Sequence, residues 1–245
     1  NLENINFFFL PYEGQIFQKK IINLIKEQGR KIKIVGYDHT APQSLPVNLY
    51  HNNCSPDLLI VGSKNKLHFN KKYLNWPSNR MKILSSFRFK KESKKKYSQK
   101  IFLPYSLDNL NFYSNQLLNF LDKLKIESFK GFNISNHPAK KKSKVHNKLI
   151  NIIENVYNNS KNKMRKNKNF VIFFGQTTTI PLAIETGIDC YHICKDPIYD
   201  LYNFKIWKGL KIKKIDDFIY KYNSNSKSLF IKLDKKFKNI NNFRI

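Results

Sequence analysis

Residues 170–194 read FVIFFGQTTTIPLAIETGIDCYHIC and contain the clearest strand and helix signals of the sequence. Residues 171–174 form a short apolar run typical of a buried parallel strand, and residues 190–194 form a second such run. Between them, the threonines, Pro181 and Gly187 predict the start, the first turn and the end of a short helix. The pattern therefore predicts a strand, a turn, a helix and a strand, which is the repeating unit of α/β folds.

The turn in this stretch is a candidate phosphate site. A helix N-terminus that follows a strand gathers backbone N–H groups at the positive end of the helix dipole, where a phosphate is stabilised. Hydroxyl groups from three threonines add further donors there. A capped helix without a ligand would have the same sequence, so both interpretations stay open at this point. The candidate residues are Gly175, Gln176, Thr177, Thr178 and Thr179.

Alternating strand and helix patterns extend in both directions from this stretch. Upstream, strands are predicted at 5–11, 31–37, 58–61 and 81–84, with helices at 16–28 and 67–74. A second series has strands at 101–103 and 128–134, helices at 107–125 and 145–157, an edge strand at 210–212 and a terminal helix beginning at 216–220. Between the two series, residues 90–100 (KKESKKKYSQK) have no apolar periodicity and are predicted to be an exposed linker.

The predicted fold class is α/β, with two Rossmann-like, doubly wound domains. The first spans residues 1–89 and the second spans residues 101–245, with the linker at 90–100. Because the sequence begins at Asn1 and enters an apolar run almost at once, we expect the first domain to be incomplete at its N-terminus.

The chain is strongly basic, with 45 Lys and Arg residues against 17 Asp and Glu residues and a formal net charge of +28. This charge is compatible with nucleic-acid binding. Lys, Asn, Ile, Phe and Tyr are all abundant, however, as an AT-rich genome would produce, and no nucleic-acid-binding motif is present. We therefore expect no specific nucleic-acid partner. Lysine clusters at 90–100, 140–144 and 161–168 predict solvated loops that could attract phosphate-bearing substrates or an anionic membrane surface.

The cysteines predict a reducing compartment. Cys54, Cys190 and Cys194 are odd in number and have no CxxC spacing, so neither a disulfide framework nor a zinc site is expected. No apolar run reaches the ~20 residues that a membrane-spanning helix needs. We expect a cytoplasmic protein that could associate with the inner face of the membrane.

Four unusual turns follow predicted strands, and ligands of open α/β sheets bind beyond the carboxyl ends of strands. The turns are residues 12–15, residues 38–40, the His137-Pro138 pair and residues 176–179. Two belong to each predicted domain, so we expect all four to line one cleft if the domains face each other.

These turns resemble motifs of bacterial glycosyltransferases of the GT-B architecture, in particular HP-motif sialyltransferases and capsule (Kdo) transferases of surface polysaccharide and lipopolysaccharide synthesis. The resemblance covers most of residues 7–195. In the first domain it rests on PYEGQ at 11–15, GYDH at 36–39, PD at 56–57 followed by Gly62, and SFRF at 86–89. In the second domain it rests on the HP pair and the threonine turn.

The resemblance implies an inverting, metal-independent transfer of a hexosyl or nonulosonic acid residue from a nucleotide sugar, with a CMP-sugar favoured. The acceptor would be a glycan or a lipid-linked glycan, and no cofactor or metal is implied. Glu13 would be the general base, since a carboxylate suits that role, although it could also serve only to cap the following helix. His137 would contact the donor phosphate, together with Pro138 and the 175–179 turn. Tyr12, Gly14, Gln15 and His39 would lie on the acceptor side.

The sequence departs from this family at two points. The acidic pair followed by glycine is reduced to Glu13-Gly14, and the basic residue that precedes the HP motif is replaced by Asn136. Three alternatives stay open: a sugar-nucleotide epimerase of similar architecture, a basic nucleic-acid-binding protein, and a chain that has lost its activity.

Overall fold

The computed structural model describes residues 5–29, 31–45, 47–125, 131–135, 143–158, 169–224 and 226–233. The chain divides into two compact units. Unit 1 contains the described residues of 1–91, 205–208 and 226–245, and unit 2 contains those of 92–204 and 209–225. Residues 205–208 and 226–233, which lie in the second domain predicted from the sequence, thus group with the first. His137 and Pro138 lie outside the described residues.

Unit 1 contains a sheet of four parallel strands in the order β1-β2-β3-β4. The strands are β1 (Phe7–Pro11), β2 (Lys33–Tyr37), β3 (Leu58–Val61) and β4 (Met81–Ile83), and the helices are α1 (Ile16–Glu27) and α2 (Lys64–Tyr73). All six elements overlap the predicted ones. The strands and helices of unit 1 therefore confirm the predicted α/β class.

The two faces of this sheet are covered differently. Successive side chains of a strand point to opposite faces, so Ile34 and Leu59 lie on one face and Val35 and Leu58 on the other. Ile22 of α1 and Phe69 of α2 both pack in the cluster that contains Ile34 and Leu59. The cluster on the opposite face contains strand residues with Leu84 and Phe87. Among the described residues, the helices of unit 1 therefore lie on one face, which differs from the doubly wound arrangement predicted.

Unit 2 contains a mixed sheet of six strands in the order β6-β5-β7-β8-β10-β9. The strands are β5 (Lys100–Phe102), β6 (Asn133–Ser135), β7 (Phe170–Phe174), β8 (Asp189–Ile193), β9 (Leu210–Asp216) and β10 (Ile219–Ser224). The helices are α3 (Leu110–Leu124), α4 (Lys144–Asn158), α5 (Thr179–Glu185) and α6 (Pro197–Asp200). The first four strands are parallel, and β10 runs antiparallel to β8 and β9.

The helix predicted to begin at 216–220 is wrong, because β9 and β10 form a hairpin there. Tyr220 and Tyr222 are buried, while Lys221 between them is only half-buried. Such alternation satisfies a strand that rests one face on a core. The stretch predicted as an exposed linker is also more structured than expected, since Tyr97 is buried and Lys100 already belongs to β5.

The segment 226–233 completes unit 1, although it lies within the second domain predicted from the sequence. Leu229, Phe230 and Ile231 are almost fully buried. The Lys232 N–H donates to the Gly62 carbonyl, and the Ser86 N–H donates to the Lys232 carbonyl at 2.8 Å. The segment therefore binds the chain just after β3 and β4, at the carboxyl edge of the sheet.

Candidate functional site

One candidate site lies in unit 2, where the strand order reverses. The chain leaves β5 to form β6 on one side and then returns to form β7 on the other side. A crevice opens at such a topological switch point, beyond the carboxyl ends of the two strands. Here it is a pocket of about 500 Å³, which we call the switch-point pocket. Its lining residues are Pro104, Tyr105, Ser106, Asp108, Tyr113, Gly175, Gln176, Lys195, Asp196 and Asp200.

Carboxylates dominate the charge of this pocket. The Lys195 ammonium donates to the Asp108 carboxylate at 2.6 Å, and this hydrogen bond lowers the pKa of Asp108. Asp196 accepts from the Ile198 N–H and caps α6, while partial burial raises the pKa of Asp200. Three carboxylates against one ammonium favour a ligand's hydroxyl or amino groups over its phosphates.

The predicted threonine turn contributes to the pocket only in part. Gly175 and Gln176 line the pocket, whereas the threonines are not among its lining residues. The Thr177 hydroxyl oxygen accepts from the Thr179 N–H at 3.3 Å, so it is engaged at the start of α5 itself. The helix ends before Gly187, as predicted. Thr178 stands at the N-cap and makes no side-chain capping bond.

A second candidate site lies in unit 1 and contains part of the predicted acceptor-side set. Nε2 of His39, in the turn after β2, lies 3.3 Å from Oε1 of Glu13, in the turn after β1. The Gln15 side-chain amide donates to Oε2 of the same carboxylate at 2.9 Å. Both Glu13 and His39 remain about one-quarter exposed. The pair can therefore pass a proton between an imidazole and a carboxylate at the surface of the unit.

The Glu13 turn is held by a buried glutamine of α1. The Gln18 side-chain oxygen accepts from the Glu13 N–H at 2.9 Å and from the Gln15 N–H at 3.0 Å, and its amide donates to the Pro11 carbonyl at 2.9 Å. Gly14 has a positive φ of 73°, and a Cβ there would lie 1.9 Å from the Asn48 carbonyl oxygen. These contacts fix the backbone of the turn and therefore the position of Glu13.

A buried ion pair lies beneath His39. The Asp38 carboxylate contacts the Lys66 ammonium of α2, and both side chains are almost fully buried. Burial raises the pKa of Asp38, and the adjacent Lys66 opposes that rise. The two residues line a small cavity together with His39 and Ser86. Lys66 was not identified from the sequence. The chain contains many lysines, and no local sequence pattern distinguishes a buried lysine from an exposed one.

The remaining predicted site residues are placed as follows. Tyr12 is fully buried in the core of unit 1, which leaves Glu13, Gln15 and His39 with exposed polar atoms on the predicted acceptor side. Asp108, Lys195 and Asp200 of the switch-point pocket were not identified from the sequence. The turn after β8, Lys195-Asp196-Pro197, could have been predicted as part of the site. It follows a predicted strand of the same sheet as the donor turn, so it lies at the edge of the sheet where ligands bind.

No protein-family model, curated protein sequence or solved structure matches this chain.

Two further findings concern the described residues alone. They contain no group of three or more His, Cys, Asp or Glu side chains that could hold a metal ion. None of their helices combines the length and the apolar character needed to cross a membrane.

Proposed function

We propose that the protein is a glycosyltransferase that uses a nucleotide-sugar donor, with units 1 and 2 as the acceptor-side and donor-side domains of a GT-B-like enzyme. The observation that carries the proposal is the position of the switch-point pocket. It lies where α/β sheets bind nucleotides, and a volume of about 500 Å³ is within the range of small-molecule sites. The donor turn predicted from the sequence contributes Gly175 and Gln176 to it.

The charge of the pocket supports a specific orientation of the donor. Carboxylates such as Asp196 and Asp200 suit the hydroxyl groups of a ribose or the amino group of a base, and Tyr105 offers an aromatic face for the base. In the proposed orientation the nucleoside occupies the switch-point pocket and the phosphates lie outside its carboxylate wall. This lining also disfavours a polyanion, which argues against nucleic acid as the ligand of this pocket.

Glu13 and His39 are proposed as the proton-transfer pair of the acceptor side. A sugar hydroxyl that attacks the donor must lose its proton, and a carboxylate or an imidazole accepts it near neutral pH. The 3.3 Å separation between the two groups allows either to orient the other. The proposed displacement is direct and inverting, and it does not use a metal ion.

The proposed setting is the cytoplasm, at the inner face of the membrane, with a glycan or lipid-linked glycan as acceptor. The described cysteines are all free, which suits a reducing compartment. The net charge of +28 provides attraction to anionic lipid. A CMP-sugar is the favoured donor on the resemblance stated above.

Binding of CMP, UDP and GDP, measured by calorimetry, tests the donor site. We expect micromolar to millimolar affinity for one of them, with CMP favoured. Ser106→Trp should block the switch-point pocket and abolish this binding, because Ser106 is an exposed lining residue. Asn111→Trp places the same side chain at an exposed position of α3 that is not among the lining residues, and it should bind normally. Equal binding by both variants would remove the pocket from the proposal.

Glu13→Gln tests the proton-transfer pair. With the nucleotide sugar identified by binding, transfer to a glycan acceptor should fall at least 100-fold while nucleotide affinity is unchanged. Product analysis separates transfer from conversion of the donor into an epimer. Normal transfer by the Gln variant would exclude Glu13 as the base.

A further inference from the structure

The two turns that form the floor of the switch-point pocket are each held by a buried histidine. Nε2 of His146, on α4, lies 2.7 Å from the Pro104 carbonyl oxygen, and Nε2 of His192, on β8, lies 2.8 Å from the Gly175 carbonyl oxygen. Both imidazoles are almost fully buried. Neither residue lines the pocket, so both act from behind it.

The two turns are in contact with each other. They follow β5 and β7, which pair with Phe102 opposite Phe173. A Cβ on Gly175 would lie 3.1 Å from Cβ of Pro104 and 3.0 Å from the Tyr113 hydroxyl. Because Gly175 also has a positive φ of 61°, its backbone has little freedom to shift without disturbing Pro104.

The hydrogen-bond partners determine the tautomer of His192. A carbonyl oxygen only accepts, so the imidazole must carry its proton on Nε2. Nδ1 then accepts from the Tyr222 hydroxyl at 3.0 Å, and that hydroxyl accepts from the Tyr202 N–H at 3.3 Å. Burial lowers the pKa of His192 to about 4, so the neutral form that this arrangement requires is the one present near pH 7. The Pro104 carbonyl oxygen likewise only accepts, so His146 donates to it from Nε2.

Holding a carbonyl fixes the whole peptide group. The peptide unit is planar, and its N–H and C=O point in opposite directions when it is trans. No cis peptide bond occurs among the described residues. The Pro104 carbonyl shares its peptide plane with the Tyr105 N–H, and the Gly175 carbonyl shares its plane with the Gln176 N–H. The histidines therefore set the orientation of the backbone at Tyr105 and Gln176, both of which line the pocket.

We propose that His146 and His192 are positioning residues of the switch-point pocket, which fix the peptide planes of its two floor turns through their Nε2 protons and thereby set its affinity for a nucleotide. The effect on nucleotide affinity rests on the function proposed above. The fixing of the peptide planes is a property of the turns themselves and can be measured without a ligand.

Amide hydrogen exchange tests the positioning directly. His192→Leu should raise the exchange rate of the Gly175 amide, which donates to the Ile193 carbonyl at 2.8 Å, more than 10-fold. His146→Leu should do the same for the Leu103 amide, which donates to the Ser135 carbonyl at 3.0 Å. His192→Gln and His146→Gln keep an N–H₂ donor near the position of Nε2 and should restore most of the protection. Tyr222→Phe removes a single oxygen atom and should raise exchange at Gly175 by a smaller factor, which provides a test even if a leucine variant fails to fold. Unchanged exchange at Gly175 in Tyr222→Phe, together with unchanged exchange in whichever leucine variants fold, would overturn the proposal.

CMP affinity, measured by calorimetry, tests the functional consequence. Both leucine variants should bind CMP at least 10-fold more weakly than the wild type, with rescue by glutamine. His51→Leu is a matched control, because His51 packs its ring 4.7 Å from Trp76 in unit 1. It should leave CMP affinity unchanged. Leucine variants that bind as tightly as the wild type would overturn the link to affinity. If the wild type binds no nucleotide while the exchange rates change as expected, the proposed function is wrong and the positioning stands.

Discussion

At the scale of single residues, the Asp38–Lys66 pair is the feature whose disruption should be most costly. Both groups are almost fully buried, and burial is the largest cause that raises the pKa of Asp38. Removing one partner of a buried ion pair leaves the other charge uncompensated, which typically costs about 3–5 kcal/mol. The pair lies next to His39, so it also supports the acceptor-side turn.

We expect Lys66→Met to lower the free energy of unfolding by about 3–5 kcal/mol at pH 7. The double variant Asp38→Asn/Lys66→Met removes both charges and should recover at least half of that loss. Denaturant unfolding at one pH measures both. A double variant as unstable as the single one would show that the cost comes from packing and not from the orphaned carboxylate.

His192 should make stability depend on pH in a defined window. Its pKa is lowered by burial from 6.5 to about 4. As pH falls below 6.5 the unfolded chain takes up a proton at His192 and the folded chain does not, so the unfolded state gains relative stability until both are protonated below about pH 4. The free energy of unfolding should therefore decrease by ~3 kcal/mol from this residue across that window.

The comparison that isolates this effect is His192→Gln, which has no titratable group. Denaturant unfolding at pH 7 and at pH 4.5 should show a smaller loss for the variant than for the wild type. Equal losses in the two proteins would mean that His192 has the same pKa in the folded protein as in the unfolded chain.

At the scale of elements, α1 both supports unit 1 and holds the turn that carries Glu13. Gln18→Ala should lower the free energy of unfolding by about 1–3 kcal/mol, because it leaves two N–H groups and one carbonyl of residues 11–15 without their partner. It should also increase amide exchange at Glu13 and Gln15. Lys20→Ala, at an exposed position of the same helix, should change stability by less than about 0.5 kcal/mol. A Gln18 variant as stable as the Lys20 variant would contradict this account.

Strands and helices were predictable where a short stretch of sequence contained the whole pattern. β7, α5 and β8 follow directly from an apolar run, a proline in the first turn and a glycine beyond the helix end. The β9–β10 hairpin was missed because residues 216–220 are too short a window to separate a helical period from strand alternation, and the β8 edge that β10 pairs with is remote in sequence.

The candidate sites were predictable to a lesser extent for the same reason. Glu13, His39, Gly175 and Gln176 follow predicted strands, so their place at the carboxyl edges of sheets could be inferred. His192 lies in the middle of an apolar strand, and no local pattern distinguishes a histidine that supports a turn from one that simply fills a core. Its role depends on Tyr222 and Gly175, which only the fold brings together.

At the scale of the whole molecule, unit 1 depends on a segment from the far end of the chain. Leu229, Phe230 and Ile231 are almost fully buried, and Phe230 packs 4.8 Å from Trp207, which also belongs to unit 1. Burial of each such side chain contributes about 1.5–3 kcal/mol. The integrity of unit 1 therefore rests on residues that lie after unit 2 in the sequence.

Truncation after residue 225 should lower the free energy of unfolding of unit 1 by about 5 kcal/mol, while truncation after residue 233 keeps the buried side chains and serves as the control. Calorimetry should show a unit 1 transition at lower temperature, with the unit 2 transition unchanged. Identical transitions in the two truncated proteins would show that residues 226–233 contribute nothing to unit 1.

The return of this segment has a consequence for biosynthesis. The ribosome releases the N-terminal residues first, so most of unit 1 emerges before any of unit 2, yet its last core side chains emerge after all of unit 2. For most of translation the nascent chain exposes the apolar surface that Phe230 and Ile231 will cover. We therefore expect unit 2 to reach its native state first and chaperones to bind the exposed N-terminal part, with closure of unit 1 following once residues 226–233 have left the ribosome.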